Sequence, residues 1–281
     1  MRARAAGAED NVPVALDRAL LGGLSTSPLA VTMKRRALGA AVAALVAAGL
    51  VTAAEPLATG EYGTEDGWGT LVISSGTAGQ QSFRLSAEGA NGHSCGFTGS
   101  LKDGEGRVNV GTRAELSICT VTLEKSGAAL SVALSVKGED AWEHCRSSMC
   151  GARAGFDGTY FLLPTPCTDA ARQQTRESFV QAFHSGDYQQ AAEIFEGLQA
   201  QCGRFLKWLE RDQIRNNLAM ALHRLGRDAE CLQELSKTEA ATVADESKLR
   251  DRFVGVPYDF ERYLPIAQTT WKVQSACSGS K

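Results

Sequence analysis

The sequence lacks several motifs on which enzymes and nucleotide-binding proteins depend. It contains no His-Glu-x-x-His, Cys-x-x-Cys or Gly-Lys-Ser/Thr string, and therefore no sign of a zinc protease, a dithiol oxidoreductase or a phosphate-binding loop. It also lacks a basic excess, with 29 Lys and Arg against 32 Asp and Glu. Nucleic acids and anionic membranes bind basic surfaces, so the composition argues against both as partners. We predict no catalytic residue, no metal and no cofactor.

One apolar run stands near the N-terminus. It extends from Ala37 to Val51, follows a basic segment and ends in small residues. This order predicts a signal peptide over residues 33–54, cleaved near Ala53 or Ala54. The run is shorter than the ~20 apolar residues that cross a bilayer, which disfavours the alternative of an uncleaved anchor. We therefore expect export to a bacterial periplasm, no membrane span after cleavage, and a non-native upstream extension over residues 1–32.

Cleavage of the predicted signal would leave an acidic chain. Residues 1–54 hold six of the Lys and Arg and three of the Asp and Glu, so the mature chain carries 23 and 29, a net charge of −6. Such a charge suits a basic protein partner, although net charge also serves solubility alone.

The cysteines all follow the predicted signal. An even number in an exported chain predicts disulfides, and eight cysteines would form four of them. They stand at Cys95, Cys119, Cys145, Cys150, Cys167, Cys202, Cys231 and Cys277.

The first half of the mature chain, residues 60–163, reads as a β domain. Short β-rich runs are separated by turns such as Asp103-Gly104, and residues 130–136 alternate strictly between apolar and small side chains. These features predict an antiparallel meander that forms a small barrel or a sandwich. Alternation also places Cys95 and Cys119 on the interior side of their strands, and we predict that they pair. Cys145 and Cys150 would then pair across a short loop.

The second half, residues 167–277, has the periodicity of helices. The segments SGDYQQAAEIFEGL (185–198) and NLAMALHRLGRDAECLQEL (217–235) resemble the helical hairpins of the tetratricopeptide family. The spacing departs from that family, because Gly186 and Gly226 are 40 residues apart and the repeat has about 34. The resemblance implies a protein-binding scaffold. The whole chain is thus predicted to be α+β, with a β domain followed by a helical-hairpin domain.

Hairpin geometry predicts the other two disulfides. Antiparallel helices bring the start of the first beside the end of the second, so Cys167 should meet Cys202. Cys231 then remains for Cys277, beside the last helix. Both bridges would fasten chain ends.

Two polar groups are candidates for binding. Asp212, Arg215 and Asn216 share one helix face, either as a patch for a partner or as intrahelical pairing on a solvated face. The other group is Arg146, Arg153 and Tyr160, which lie in the segment CRSSMCGARAGFDGTYFLLP (145–164). This segment is similar to a Cys-Gly-Ala-Arg-Ala…Phe-Asp-Gly-x-Tyr run of uncharacterised proteobacterial envelope proteins, which implies no activity. A zinc site from His93, His144 and nearby cysteines is disfavoured, since periplasmic thiols oxidise first.

These features favour a non-enzymatic protein-binding module of the cell envelope. A specific version is an inhibitor or immunity protein against a cell-wall hydrolase, by analogy with small cysteine-bridged β domains that inhibit lysozymes. One alternative is a peptidoglycan- or glycan-binding module that uses Trp68 and Trp142, although aromatic residues are only 7% of the chain. Another is a hydrolase with an unrecognised site.

Overall fold

The computed structural model describes residues 55–76, 80–112 and 115–279. The predicted signal peptide and the upstream residues 1–32 lie outside this part of the chain. Within it, the β and helical halves belong to one compact unit. No helix among these residues has the length and apolar character needed to cross a membrane.

The β half is a closed barrel of eight antiparallel strands. Each strand pairs with the next along the chain, and the last pairs with the first, which confirms the predicted antiparallel meander. The strands are β1 (Gly60–Gly63), β2 (Gly69–Ser75), β3 (Gln81–Glu88), β4 (Ser94–Lys102), β5 (Glu105–Thr112), β6 (Glu115–Ser126), β7 (Ala129–Leu134) and β8 (Gly158–Leu162).

Side chains of the barrel itself fill its interior. In β3, Phe83 and Leu85 are buried whereas Arg84 is exposed, as the two-residue period of a strand requires. Phe97 makes edge contacts with Phe83 and Phe156, with ring centroids 6.1 and 4.8 Å apart. Burial of such a side chain contributes roughly 1.5–3 kcal/mol to folding. The interior is therefore a packed core.

A helix, α1 (Glu139–Met149), lies between β4 and β5. These two strands pair only through Ser100–Lys102 and Glu105–Arg107, and α1 contacts both of them beyond that point. Cys145 and Met149 of α1 are buried in the barrel core. The helix thus closes a gap in the barrel wall.

The disulfides of the barrel correct the predicted pairing. Cys119 bonds to Cys145 and Cys95 bonds to Cys150, so the predicted Cys95–Cys119 and Cys145–Cys150 bridges were wrong. Cys95 and Cys119 do point inward, as alternation predicted. The prediction failed because the residues between Cys145 and Cys150, where a short loop was expected, belong to a helix that spans Glu139–Met149. Cys145 of the helix bonds to Cys119 on β6, and Cys150, directly after the helix, bonds to Cys95 on β4.

The helical half contains two hairpins and a long final helix. Its helices are α2 (Asp169–His184), α3 (Tyr188–Cys202), α4 (Trp208–Arg224), α5 (Asp228–Leu235), α6 (Glu246–Arg252) and α7 (Pro257–Cys277). The α2–α3 and α4–α5 turns have the same hydrogen bonds, from Asp187 N to Ala182 O at 3.0 Å and from Arg227 N to Leu222 O at 2.9 Å. Helical hairpins are confirmed, while membership of the tetratricopeptide family stays a prediction. α6 was not predicted.

The two remaining disulfides form as predicted. Cys167 bonds to Cys202 and joins the start of α2 to the end of α3, and Cys231 bonds to Cys277 and joins α5 to the end of α7. They close loops of 35 and 46 residues, so each contributes about 4 kcal/mol in the chain-entropy model.

Candidate functional site

The turn before β4 caps the long helix α7. The side-chain oxygen Oδ1 of Asn91 accepts from Tyr258 N at 2.9 Å, and Asn91 N donates to Asp259 Oδ2 at 2.7 Å. This reciprocal pattern is that of a capping box, with the capping residue supplied by the barrel. Asn91 adopts a left-handed conformation, with φ of 58°, which asparagine tolerates well. The Asn91 turn therefore joins the barrel to the helices.

Ion pairs extend the same contact between the two halves. Lys207 Nζ lies 2.7 Å from Glu88 Oε1, and Arg211 Nη1 lies 3.1 Å from Asp66 Oδ1. Glu61 Oε1 accepts from Asp169 N at 2.9 Å, and burial raises the pKa of this carboxyl group. We call this contact surface the seam.

The candidate residues of the 145–164 segment support the barrel and the seam. Arg153 Nη1 donates to Gly255 O, 2.6 Å away, between α6 and α7. Arg146 donates to Ala154 O at 3.1 Å and lies over the ring of Trp142 at 5.3 Å. Tyr160 is buried, and its hydroxyl donates to Phe156 O at 2.9 Å. Arg153 thus lies at the seam, while Arg146 and Tyr160 make contacts inside the barrel unit.

The two tryptophans of the predicted glycan module lie in different environments. Trp68 packs on the barrel core, with its ring 5.9 Å from that of Tyr160. Trp142, on α1, is 38% exposed. Trp142 is therefore the more exposed of the two, since Trp68 is partly buried.

Asp212 and Asn216 are buried in a hydrogen-bond network. Asp212 Oδ2 accepts from the Tyr263 hydroxyl at 2.8 Å, and Asn216 Nδ2 donates to Ile266 O at 2.9 Å, so both tie α4 to α7. Arg215 pairs with Asp212 Oδ1 at 3.1 Å. Burial, then the Asp212 carboxylate, raises the pKa of Tyr263. The three candidates do lie together. Asp212 and Asn216 make their hydrogen bonds within the chain, whereas Nε of Arg215 is buried without a hydrogen-bond partner among the described residues, and a partner-binding role stays a prediction.

The residues around Cys95 were candidates for other chemistry. The string from Gly92 to Gly96 has the Gly-x-Ser-x-Gly spacing of a hydrolase nucleophile. Its central Ser94 begins a strand, after a 3₁₀ turn, whereas a nucleophile elbow joins a strand to a helix. The zinc alternative needed the sulfur atoms of Cys95, Cys145 and Cys150, and all three are in disulfides.

An acidic groove lies on the outer surface of the barrel, where β5 and β6 meet the β4–β5 turn. Its volume is about 610 Å³. Asp103 and Gly104 form the turn with φ of 52° and 79°, and Gly104 O accepts from Leu123 N at 2.7 Å, which holds the turn against β6. The groove is lined by four carboxylates and one lysine, namely Glu55, Asp103, Glu105, Glu124 and Lys125.

The carboxylates of the acidic groove are poorly neutralised. Lys125 Nζ lies 2.9 Å from Glu55 Oε2, and this hydrogen bond lowers the pKa of Glu55. Asp103, Glu105 and Glu124 are exposed and form no ion pair within 4 Å with any residue that the structure describes. The groove can therefore accept positive charge from a ligand or a partner.

Comparison with models of known protein families, with curated proteins and with solved structures found no match for this chain.

Proposed function

We propose that this chain is an exported, non-enzymatic module that binds a basic protein in the cell envelope through the acidic groove. The observation that carries the proposal is the cluster of Asp103, Glu105 and Glu124 in one groove of about 610 Å³, where none of the three forms an ion pair within 4 Å with a described residue. A basic side chain that enters this groove gains charge-assisted hydrogen bonds, which are stronger than neutral ones.

The disulfides support an exported location. The structure pairs all eight cysteines, and such bridges form and persist in oxidising compartments. The predicted signal peptide and periplasmic location agree with this chemistry. Disulfides on both sides of the seam also limit internal motion, so the groove meets a partner with little further loss of conformational entropy.

A cell-wall hydrolase is the specific partner that we propose. An enzyme that degrades an anionic wall polymer needs a basic surface to concentrate on it. An exported protein with an acidic groove complements that surface and would block it, as an inhibitor or an immunity protein does.

Affinity capture with matched charge reversals tests the proposal. The mature chain, immobilised, is incubated with periplasmic extract, and the captured protein is purified and titrated against it. The variant Glu105→Lys/Glu124→Lys should weaken binding at least tenfold, because each reversal replaces attraction by repulsion. The control Glu143→Lys/Glu177→Lys makes the same charge change at exposed positions on α1 and α2 and should bind normally.

The captured protein is then assayed on cell-wall suspensions. We expect the mature chain to suppress its hydrolysis and the groove variant to suppress it weakly. Equal loss of binding in the groove and control variants would show that only net charge matters, and the proposed site would be wrong. Wall hydrolysis by the chain alone would contradict a non-enzymatic role.

A further inference from the structure

A second groove marks the place where the barrel wall opens. β4 pairs with β3 from Ser94 to Leu101, but with β5 only up to Ser100 and Arg107. Beyond that pair the strands separate until α1 enters between them. The backbone of Gly96–Gly99 consequently has no strand partner on its β5 side. A groove of about 500 Å³ lies over the start of this opening.

The opening groove is basic and rich in hydroxyl groups. Arg84 on β3 and Arg107 on β5 line it, and both are exposed. Neither arginine has a carboxylate within 4 Å among the residues that the structure describes, and no acidic residue lines the groove. The groove is thus locally positive, whereas the predicted mature chain as a whole has a net charge of −6.

Strand register allows both arginines to reach one ligand. Arg84 lies opposite Thr98 across β3 and β4, and Arg107 lies opposite Ser100 across β4 and β5. Their Cα atoms are thus two strands and two residues apart, on the order of 12 Å. Long flexible arginine side chains span such a distance from its two ends. Between them stand the hydroxyl groups of Thr98 and Ser100 and, beside Arg107, the amide of Asn109.

We propose that this opening groove binds an acidic saccharide, that is, a carboxylate or phosphate group carried on a sugar chain. The planar guanidinium group of arginine matches the geometry of carboxylate and phosphate oxygens and can bind them in a bidentate manner. Hydroxyl and amide groups supply the neutral donors and acceptors that sugar hydroxyls need. The site is separate from the acidic groove and does not depend on its role.

Amide chemical shifts of the mature, disulfide-bonded chain test the site. The probes are a hexuronate trimer, a phosphorylated glucose trimer, a neutral glucose trimer and inorganic phosphate. We expect the two acidic trimers to shift the amides of Thr98–Ser100 and Arg107–Asn109, with an affinity that falls as salt rises. Arg84→Gln and Arg107→Gln should each weaken binding about tenfold. Arg224→Gln, at an exposed arginine without an ion pair in the described part of the chain, should leave it unchanged.

The outcomes distinguish a carboxylate ligand from a phosphate ligand, and the role of the opening groove from that of the acidic groove. Binding of one acidic trimer but not the other identifies the oxyanion and supports the proposal. Equal binding of the neutral trimer, equal binding of inorganic phosphate alone, or equal effects of the three arginine variants would overturn it. The variant Glu105→Lys/Glu124→Lys distinguishes failure of this site from failure of the proposed function. It should lose the protein partner but keep or strengthen saccharide binding, because Glu105 lies two residues from Arg107 on the same face of β5 and its reversal adds positive charge there.

Discussion

Replacement of Asn91 by alanine should destabilise the protein through a helix that lies far away in sequence. Asn91 accepts a hydrogen bond from Tyr258 N, in the first turn of α7, and no residue of α7 itself caps that end. Alanine at position 91 removes the acceptor and must also adopt φ near 58°. The substitution therefore lowers stability in two ways, by loss of the capping hydrogen bond and by backbone strain.

The two terms have similar magnitudes. Loss of an N-terminal cap costs about 1 kcal/mol. A left-handed conformation costs alanine about 1 kcal/mol more than asparagine. Asn91→Ala should thus lower the free energy of unfolding by about 2 kcal/mol. Asn91→Gly, which loses the cap but accepts the positive φ, should cost about 1 kcal/mol.

Urea denaturation of the variants provides the measurement. Asp103→Ala is the matched control for backbone strain, because Asp103 also has a positive φ, 52°, and its side chain makes no hydrogen bond with the described residues. It should lose about 1 kcal/mol. Hydrogen exchange of the Tyr258 amide should also accelerate in Asn91→Gly but not in Asp103→Ala. If Asn91→Ala cost no more than Asp103→Ala, and Tyr258 kept its protection, the cap across the seam would contribute nothing and our reasoning would fail.

Three further predictions concern covalent structure, burial and pH. Peptide mapping without reduction should recover Cys95 disulfide-bonded to Cys150. A disulfide between Cys95 and Cys119 would contradict the position of α1. Tyr263→Phe removes a buried hydroxyl that both gives and receives a hydrogen bond, so urea denaturation should show a loss of about 2–3 kcal/mol. Burial raises the pKa of the Glu61 carboxyl group, so the folded chain binds a proton at Glu61 more readily than the unfolded chain does. The contribution of Glu61 to the free energy of unfolding therefore grows as the pH falls through the raised pKa. Glu61→Gln should flatten the pH dependence of unfolding just above pH 4.5, and an unchanged slope would exclude this effect.

Local sequence patterns predicted most of the secondary structure. The alternation of Phe83 and Leu85 with exposed neighbours identifies a strand, and glycine at 186 and 226 ends a helix in each hairpin. These signals depend on a few neighbouring residues, so they can be read without the fold. The Cys167–Cys202 pairing followed from the same local logic, because two antiparallel helices leave few other choices.

The position of α1 could not be predicted in this way. Its sequence, EDAWEHCRSSM, has few apolar residues, and its buried residues Cys145 and Met149 contact strands that are remote in sequence. The helix forms where β4 and β5 leave a gap, which is a property of the closed barrel. Asp212 and Asn216 present the same difficulty, because acidic and amide residues on a helix suggest a solvated face until α7 covers them.

The architecture also separates structural residues from candidate binding residues. Asn91, Arg153 and the Cys95–Cys150 bridge hold the seam and the barrel wall, so the most distinctive part of the sequence is engaged in the fold itself. Glu105, Arg107 and Glu124 are exposed charged residues without ion pairs in the described chain. Since exposed, unpaired charges contribute little to stability, substitutions at these positions should change binding and leave folding intact. Their variants therefore test the proposed binding roles directly, whereas variants at the seam report on folding first.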